Sequence, residues 1–380
     1  MFGAIIRRVL APAAILAVAW FAWTSTRDRA TNATPIQTNT TPIQMTPSTN
    51  ASVVAGAPAF GISFPPVKNN EQLTFTLQHL QMLGVDRVRF AEHWDEREPS
   101  PGQFVWGPMD ARLAFFAEHG IQVMLTIESL VPEWACSGVR SERGCVPNDT
   151  EDFRRFVRAL LERHGSRIAK IQYGNEWNSE YWFPGTAEQY AELATILADE
   201  THAIAPQVEV VLGGLSIGAV RALGACAYTL DQVIGPDGGL YSREQVRQYC
   251  AQDQYRAMEQ RVTTVLATAS YDAVDIHLYD DAEHWASYLR RIRELTNVPV
   301  LVSEFGGPHP VAETYSDDYH AGRVSAYLST LAGLDVTDAY YFKLVETPSA
   351  SIGHPRSGLI NEDLEPKPAY EVFQTFIREQ

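Results

Sequence analysis

The chain has 380 residues, 45% of them hydrophobic and 11% aromatic, ample for a sizeable core. Its formal net charge of −16 repels phosphate backbones, which sets nucleic acid aside as a partner. Length alone fits two or three domains, but α/β barrels of about 250 residues fold as one.

Arg7 and Arg8 precede an apolar run over residues 9–23, the basic-then-apolar order of an export signal. The run is shorter than the roughly 20 residues a spanning helix needs. Ala17-Val18-Ala19 offers a small-residue cleavage site, yet residues 20–23 stay apolar beyond it. Residues 1–23 therefore read as a signal peptide or an uncleaved N-terminal membrane anchor. Residues 24–58 are rich in Thr, Asn and Pro and repeat TPIQ at 34–37 and 41–44. Such a stretch buries too little apolar surface to offset its ordering entropy, so a disordered linker is expected there. Either reading of the N-terminus exports the chain, to be secreted or held at the outer face of a membrane.

From residue 59 on, short apolar runs alternate with amphipathic stretches. The first run, 60–64, precedes a helical pattern at 69–83. The next pairs are 85–90 with 108–119, 122–127 with 150–164, and 168–173 with 187–204. The fifth run, 209–212, is followed by a long loop over about 213–253 and a helix near 254–269. The last three pairs are 273–277 with 281–295, 300–303 with 317–331, and 339–342 with 368–377. Thr150 reads as a capping residue with Glu151 and Asp152 in the first turn, and Pro368 suits the first turn of the final helix.

Strands of four to six residues alternating with longer helices call for parallel pairing through helical crossovers. Eight such units close into a (β/α)8 TIM barrel, a single catalytic domain over residues 59–380. An open doubly wound sheet is the runner-up. It lacks support because Pro65 and Pro66, not a glycine-rich phosphate loop, follow the first strand.

Four cysteines fall as two local pairs, Cys136 with Cys145 and Cys226 with Cys250. Four cysteines allow three connectivities. Local pairing ties down two loops and requires an oxidising compartment.

A barrel carries its chemistry at the C-terminal ends of its strands, and polar residues gather at those predicted ends while the strand starts look apolar or unremarkable. The second strand runs through Arg89 to Glu92, His93 and Trp94; the third ends at Glu128; the fourth runs into Asn175, Glu176 and Trp177. In the sixth, Asp275, His277 and Tyr279 alternate with Ile276 and Leu278, so the polar trio faces the barrel mouth. In the seventh, Val302 and Glu304 are expected on one face. Asn175 and Glu176 are adjacent, so both reach the mouth only if the chain turns or bulges there. Glu176 and Glu304 thus face each other across the barrel mouth. Paired carboxylates suit glycoside hydrolysis, with retention at a spacing of about 5–5.5 Å and inversion at about 6.5–9.5 Å.

Gly174-Asn175-Glu176 and Ser303-Glu304-Phe305-Gly306 resemble the acid/base and nucleophile motifs of the clan A glycoside hydrolases. Val88-Arg89-Phe90 and Asp275-Ile276-His277-Leu278-Tyr279 resemble the clan's second and sixth strands. The stretch from Trp94 through Glu98-Pro99 and Pro101-Gly102 to Trp106 resembles a recurring loop of the clan. The likeness spans most of residues 59–380, and family 39-like and family 5-like enzymes are the nearest. It implies Glu176 as general acid/base and Glu304 as nucleophile in a retaining mechanism. It also implies that Asn175 bonds the hydroxyl beside the reacting carbon, that Arg89 keeps Glu304 ionised, and that His277 and Tyr279 orient Glu304 and the sugar. Trp94 and Trp177 are candidate sugar-stacking contacts, with Trp134, Trp182 and Trp285 as further exposed-tryptophan candidates, and Glu92 and Glu128 are weaker polar ones. One departure is the eighth strand, where Ala339-Tyr340-Tyr341-Phe342-Lys343 lacks the clan's tryptophan and leaves Tyr, Phe, Lys343 or Glu346 to stand there.

The ten histidines show no HExxH pattern, so no metal and no cofactor is expected. The expected partner is a carbohydrate bound by a monomer. A transglycosylase on the same site and a non-catalytic carbohydrate-binding surface protein are the alternatives.

Overall fold

The structure, a computed structural model, describes residues 57–307, 315–347 and 356–380. The expected signal or anchor at 1–23 and nearly all of the expected linker lie outside the described residues. No helix among the described residues is long and apolar enough to cross a membrane.

Eight parallel strands form a closed barrel. They are β1 (Ala59–Ser63), β2 (Arg87–His93), β3 (Gln122–Glu128), β4 (Lys170–Tyr173), β5 (Glu209–Leu215), β6 (Ala273–Leu278), β7 (Val300–Phe305) and β8 (Asp338–Tyr341). Each lies beside its neighbours in chain order, and β8 closes on β1 in the register Ala59↔Asp338 to Ile62↔Tyr341. The main crossover helices are α1 (Asn70–Leu83), α2 (Gly107–Glu118), α3 (Thr150–His164), α4 (Ala187–Ile204), α5 (Asp253–Thr268), α6 (Trp285–Leu295), α7 (Asp317–Ala332) and α8 (Pro368–Glu379). The (β/α)8 expectation holds.

Local chemistry sets the boundaries. Asn69 caps α1 by accepting from the Gln72 amide, and Thr186 and Gln189 form a reciprocal capping box on α4. The cap of α3 is Asp149, one residue before the expected Thr150; its carboxylate accepts from the Glu151 amide at 2.9 Å.

Period-2 alternation divides the strands into two shells. Val88, Phe90, Ile171, Ile276 and Leu278 face the helices in the main core. Met124, Val211, Ala273, Leu301 and Tyr340 pack a separate cluster inside the barrel. At the strand starts the expectation of unremarkable residues fails. Arg87 Nη1 meets Asp338 Oδ1 at 2.6 Å, Lys170 Nζ lies 3.2 Å from Asp338 Oδ2, and Lys170 also pairs with Glu209. Alternation turns all four inward, and burial obliges them to pair.

The stretch after β5 is not a loop. It holds a helix (Ile217–Tyr228), a short hairpin (Val233–Ile234 with Leu240–Tyr241) and a second helix (Arg243–Cys250). Cys226 and Cys250 are bonded across it with 5.7 Å between Cα atoms. A smaller hairpin after β3, Cys136–Arg140 with Cys145–Pro147, is closed by the Cys136–Cys145 bond. Both local pairings match the expectation. The excursion packs a small cluster of its own, Ala225, Val233 and Val246, and the cross-link joins the two helices around it.

Replacing Cys226 and Cys250 together by Ser is expected to lower stability by about 3 kcal/mol, the loop-closure entropy of a link of this length. Chemical denaturation of the oxidised and double-serine proteins measures this.

Candidate active site

β4 ends at Tyr173, and the backbone then takes two left-handed steps, Gly174 at φ 74° and Glu176 at φ 45°. For a glutamate that conformation costs roughly 1–2 kcal/mol and needs support. Trp177 supplies it: its indole Nε1 donates to Gly213 O at 2.6 Å and its ring stacks on Tyr190 at 4.6 Å. The turn lets adjacent Asn175 and Glu176 both reach the barrel mouth, as the spacing required.

A second irregularity lies between β6 and β7. Ile276 pairs with Val302, but His277 pairs with Glu304, so Ser303 is the extra residue. Val302 packs in the outer core, whereas Ser303 and Glu304 both meet inward-facing groups. The expectation that Val302 and Glu304 share a face is corrected by this shift.

Glu304 is 6% exposed. Its Oε1 accepts from Arg89 Nη1 at 2.5 Å and its Oε2 from the Tyr279 hydroxyl at 2.5 Å. Burial by itself raises a carboxyl pKa; here the His277 and Arg89 charges and the Tyr279 hydrogen bond outweigh it and hold Glu304 below its ordinary value. Arg89 is fully buried and spends its donors on four oxygens. Besides Glu304 these are Thr126 Oγ1 at 3.1 Å, Ser63 Oγ at 3.3 Å and Asn175 Oδ1 at 2.8 Å. Because Asn175 Oδ1 is taken, its amide N–H groups are what the side chain has to offer a ligand.

His277 stands between the two glutamates. Its Nδ1 is 3.1 Å from Glu176 Oε1 and 3.6 Å from Glu304 Oε2. The two oxygens are therefore no farther apart than the sum of these distances, which lies just above the roughly 6.5 Å where inverting spacings begin and below most of that range. On the other side, His277 Nε2 faces Ser303 Oγ at 3.3 Å and Asp275 Oδ2 at 3.8 Å. Asp275 itself accepts from Ser303 N at 2.8 Å, Ser303 Oγ at 2.5 Å and Gln172 Nε2 at 3.3 Å. Burial would lower the imidazole, but Glu304, Asp275 and Glu176 overcome it and raise His277 to about 10. Residue 214 must be glycine, since a Cβ there would sit 2.2 Å from His277 Nε2. Glu176 is the more open carboxylate, 23% exposed at its side chain, and its Oε2 accepts from Trp182 Nε1 at 3.0 Å.

The structure thus brings together Glu176, Glu304, Asn175, Arg89, His277 and Tyr279. It does not bring Trp94 or Trp177 to the mouth. Trp94 is 1% exposed, bonds Glu98 Oε2 at 2.7 Å and stacks on Phe156 at 5.5 Å; Trp177 is 0% exposed. Both expected sugar contacts are corrected to packing residues, because a buried indole has no face left for a ligand. Trp285 is likewise buried, stacked on Tyr327, and Trp134 donates to Glu98 O. Among the five tryptophans considered, Trp182 is the one bonded to a site glutamate. Glu92 turns away from the mouth to pair with Arg97 and Arg112. Glu128 stays beside the mouth, 3.3 Å from His93 Nε2 and 3.3 Å from Arg143 Nη2. Arg143 sits at the tip of the disulfide-closed hairpin and lies 5.1 Å from the Trp182 ring. No spacing in the sequence signalled that contact.

After β8 the aromatic at the site is Phe342, 7% exposed and 6.1 Å from both the Tyr279 and Phe64 rings. Glu346 pairs with Lys367, and the Lys343 amine bonds Thr347 while burial brings it down to about 8.

No protein-family model matches the chain. Over 133 residues it is 31% identical to beta-galactosidase BgaA of a Thermus species, a stretch that is 30% of this chain and 20% of that relative. The chain thus spans only about a fifth of that curated relative. The fold is similar to a family 39 glycoside hydrolase from the gut symbiont Bacteroides cellulosilyticus, with a TM-score of 0.59 at 16% identity, covering 85% of this chain and 64% of the other. It is also similar to the GH5_18 protein of Streptomyces cattleya in complex with GlcNAc, with a TM-score of 0.63 at 15% identity over 85% of this chain and 80% of that one. At these identities the likeness is one of barrel fold.

Two predictions follow from the charges. Arg89→Met leaves Glu304 buried without its guanidinium partner and should cost about 3–5 kcal/mol in denaturant melts. Glu304, depressed in the folded state, stabilises the native protein above the unfolded carboxylate pKa, and that contribution is lost as pH falls through its folded value. Loss of Arg89 should move this acid transition to higher pH. His277 is raised, so its contribution is complete below about 6.5 and lost as pH rises through about 10. Nitrogen NMR of the imidazole at pH 8 should find both ring nitrogens protonated, and Asp275→Asn should lower the midpoint.

Proposed function

We propose that the chain is a retaining glycoside hydrolase cleaving β-linked glycosides, with Glu304 as nucleophile and Glu176 as acid/base. The observation that carries this reading is the single His277 nitrogen within 3.1 Å of one glutamate and 3.6 Å of the other. It keeps the two oxygens closer than most inverting pairs, which supports the retaining reading.

In the first step the Glu304 carboxylate attacks the anomeric carbon. The bond from that carbon to the leaving oxygen breaks as Glu176 delivers its proton to the oxygen. A glycosyl ester on Glu304 results. In the second step Glu176, now a carboxylate, takes a proton from water, whose oxygen attacks the same carbon and frees Glu304. Two inversions give net retention. The asymmetry of the surroundings suits these roles: Glu304 is enclosed by a cation and a hydroxyl donor that favour its anion, while Glu176 lies nearer solvent and the leaving group. Asn175 would donate its amide to the hydroxyl next to the reacting carbon, and Tyr279 would release its hydrogen bond as the ester forms.

The beta-galactosidase likeness and the GlcNAc complex of a fold neighbour favour a hexose-based β-glycoside as substrate. The two disulfide bonds agree with an oxidising, exported setting, in which residues 1–23 act as signal or anchor, 24–58 as linker and 59–380 as a monomeric catalytic domain.

Glu304→Gln should abolish turnover of a panel of β-linked aryl glycosides while the protein stays folded. Glu176→Ala should lose roughly 10²–10⁴-fold on substrates with poor leaving groups and much less on dinitrophenyl glycosides. Added azide should then restore rate and yield a β-glycosyl azide. Full activity in the Glu304 variant, or an α-configured azide, would overturn the proposal.

A further inference from the structure

Glu176 is gripped at both oxygens. His277 Nδ1 lies 3.1 Å from Oε1, and Trp182 Nε1 donates to Oε2 at 3.0 Å. His277 stands on a barrel strand, but Trp182 stands on the irregular stretch between β4 and α4. A side chain on a loop fixes its partner only if the loop is itself fixed. Toward α5, Arg261 donates to the carbonyls of Trp177 and Phe183 at 3.0 Å and of Gly185 at 2.7 Å. Toward β5, Asn178 and Ser216 clasp each other: Asn178 Nδ2 donates to Ser216 Oγ and Ser216 N donates to Asn178 Oδ1, each at 2.9 Å. Beyond the clasp lies a cavity of about 240 Å³ walled by the insertion after β5, so that side adds little packing.

A third set of contacts comes from the hairpin after β3, closed by the Cys136–Cys145 bond, and it falls on Trp182 itself. Ser141 Oγ donates to Tyr181 O at 2.7 Å. The backbone of Gly144 passes so close that a Cβ there would sit 2.4 Å from Trp182 O. Arg143 places its guanidinium 5.1 Å from the Trp182 ring centroid, while its Nη2 reaches Glu128 Oε2 at 3.3 Å. The cation is thus tied to the end of β3 and attracts the indole ring. Trp182 is 6% exposed and its N–H is spent on Glu176, so the ring is held as a support and not offered as a sugar platform.

We propose that Trp182 is a positioning residue for Glu176, set in place by the disulfide-closed hairpin through Arg143 and the close pass of Gly144. The inference rests on the glycosidase reading above, with Glu176 as its acid/base. An indole N–H can only donate, and it is neutral. It therefore orients the carboxyl group without adding a full positive charge of the kind that Arg89 brings to Glu304. With Oε1 toward His277 and Oε2 toward Trp182, the plane of the Glu176 carboxyl group is fixed from two sides. Proton transfer to a leaving oxygen depends on that alignment, and so does proton removal from water in the second step. The hairpin acts on the reaction through Trp182 and Glu176 without touching the reacting carbon.

Trp182→Phe removes the N–H and keeps a ring beside Arg143. The probes are β-glucosides, β-galactosides and β-mannosides whose leaving groups run from dinitrophenol through phenol to methanol. On the sugar that the wild type accepts, kcat/KM should fall roughly 10–10²-fold for phenyl and methyl glycosides, the scale of a small misplacement of a catalytic group. Dinitrophenyl glycosides need no proton and should lose less than about threefold. Benzothienylalanine in place of Trp182 keeps the ring volume without the N–H and should give the same pattern, which separates the lost donor from lost packing. Arg143→Ala should show that pattern with a loss of about twofold to tenfold, the scale of a cation–π contact. In a Glu176→Ala background Trp182→Phe should cost nothing further, because it acts through Glu176. Unchanged turnover in both Trp182 variants, equal losses on every leaving group, or a loss that adds to that of Glu176→Ala overturns the positioning role. A wild-type profile in Arg143→Ala overturns the hairpin's part. A Glu176→Ala loss that ignores the leaving group overturns the acid/base reading itself, which distinguishes the two failures.

Discussion

The buried ion pair between Arg89 and Glu304 is the constraint around which the barrel mouth is built. A guanidinium with no solvent contact is tolerated only if its charge and its donors are all met. Here they are met from four strands or strand ends: Ser63 from β1, Thr126 from β3, Asn175 from the turn after β4, and Glu304 from β7. One side chain thereby sets the relative positions of the groups that would touch a substrate. It also favours the anion of Glu304, the deeper of the two glutamates.

His277 adds a second layer of coupling. It draws its charge from both glutamates in front and from Asp275 behind, and Asp275 is held by the Ser303 that the β7 irregularity turns inward. The irregular register is therefore part of the electrostatics. Without the extra residue, Ser303 and Glu304 could not both face the barrel interior, and Asp275 would lose two of its donors. At the opposite end of the barrel, Arg87, Lys170, Glu209 and Asp338 neutralise one another, so the interior runs from an ionic floor through an apolar layer to a charged mouth.

The two disulfide-closed excursions act on the rim of this frame. The short hairpin after β3 carries Arg143 to Glu128 and to the ring of Trp182, which in turn bonds Glu176. The long insertion after β5 walls the cavity beside Asn178. Barrel strands are rigid and the loops above them vary, so rim elements of this kind are where substrate preference is expected to reside.

Much of the frame was legible in the chain itself. Apolar periodicity with eight strand–helix repeats determined the barrel, because each strand must bury two faces and each helix one. Polar residues at strand ends marked Glu176, Glu304, Arg89, Asn175, His277 and Tyr279, and local cysteine spacing matched both disulfides. Only the tertiary structure decided the rest. Whether a tryptophan meets a ligand or the core depends on what packs over it, which is why Trp94 and Trp177 proved buried while Trp182 reached Glu176. The register shift at Ser303, the ordered insertion behind Cys226 and Cys250, and the clasp of Asn178 with Ser216 arise from contacts between residues far apart in sequence. The two glutamates were written into the chain as strand ends; their spacing, their unequal burial and the partners each meets were set by the fold that surrounds them.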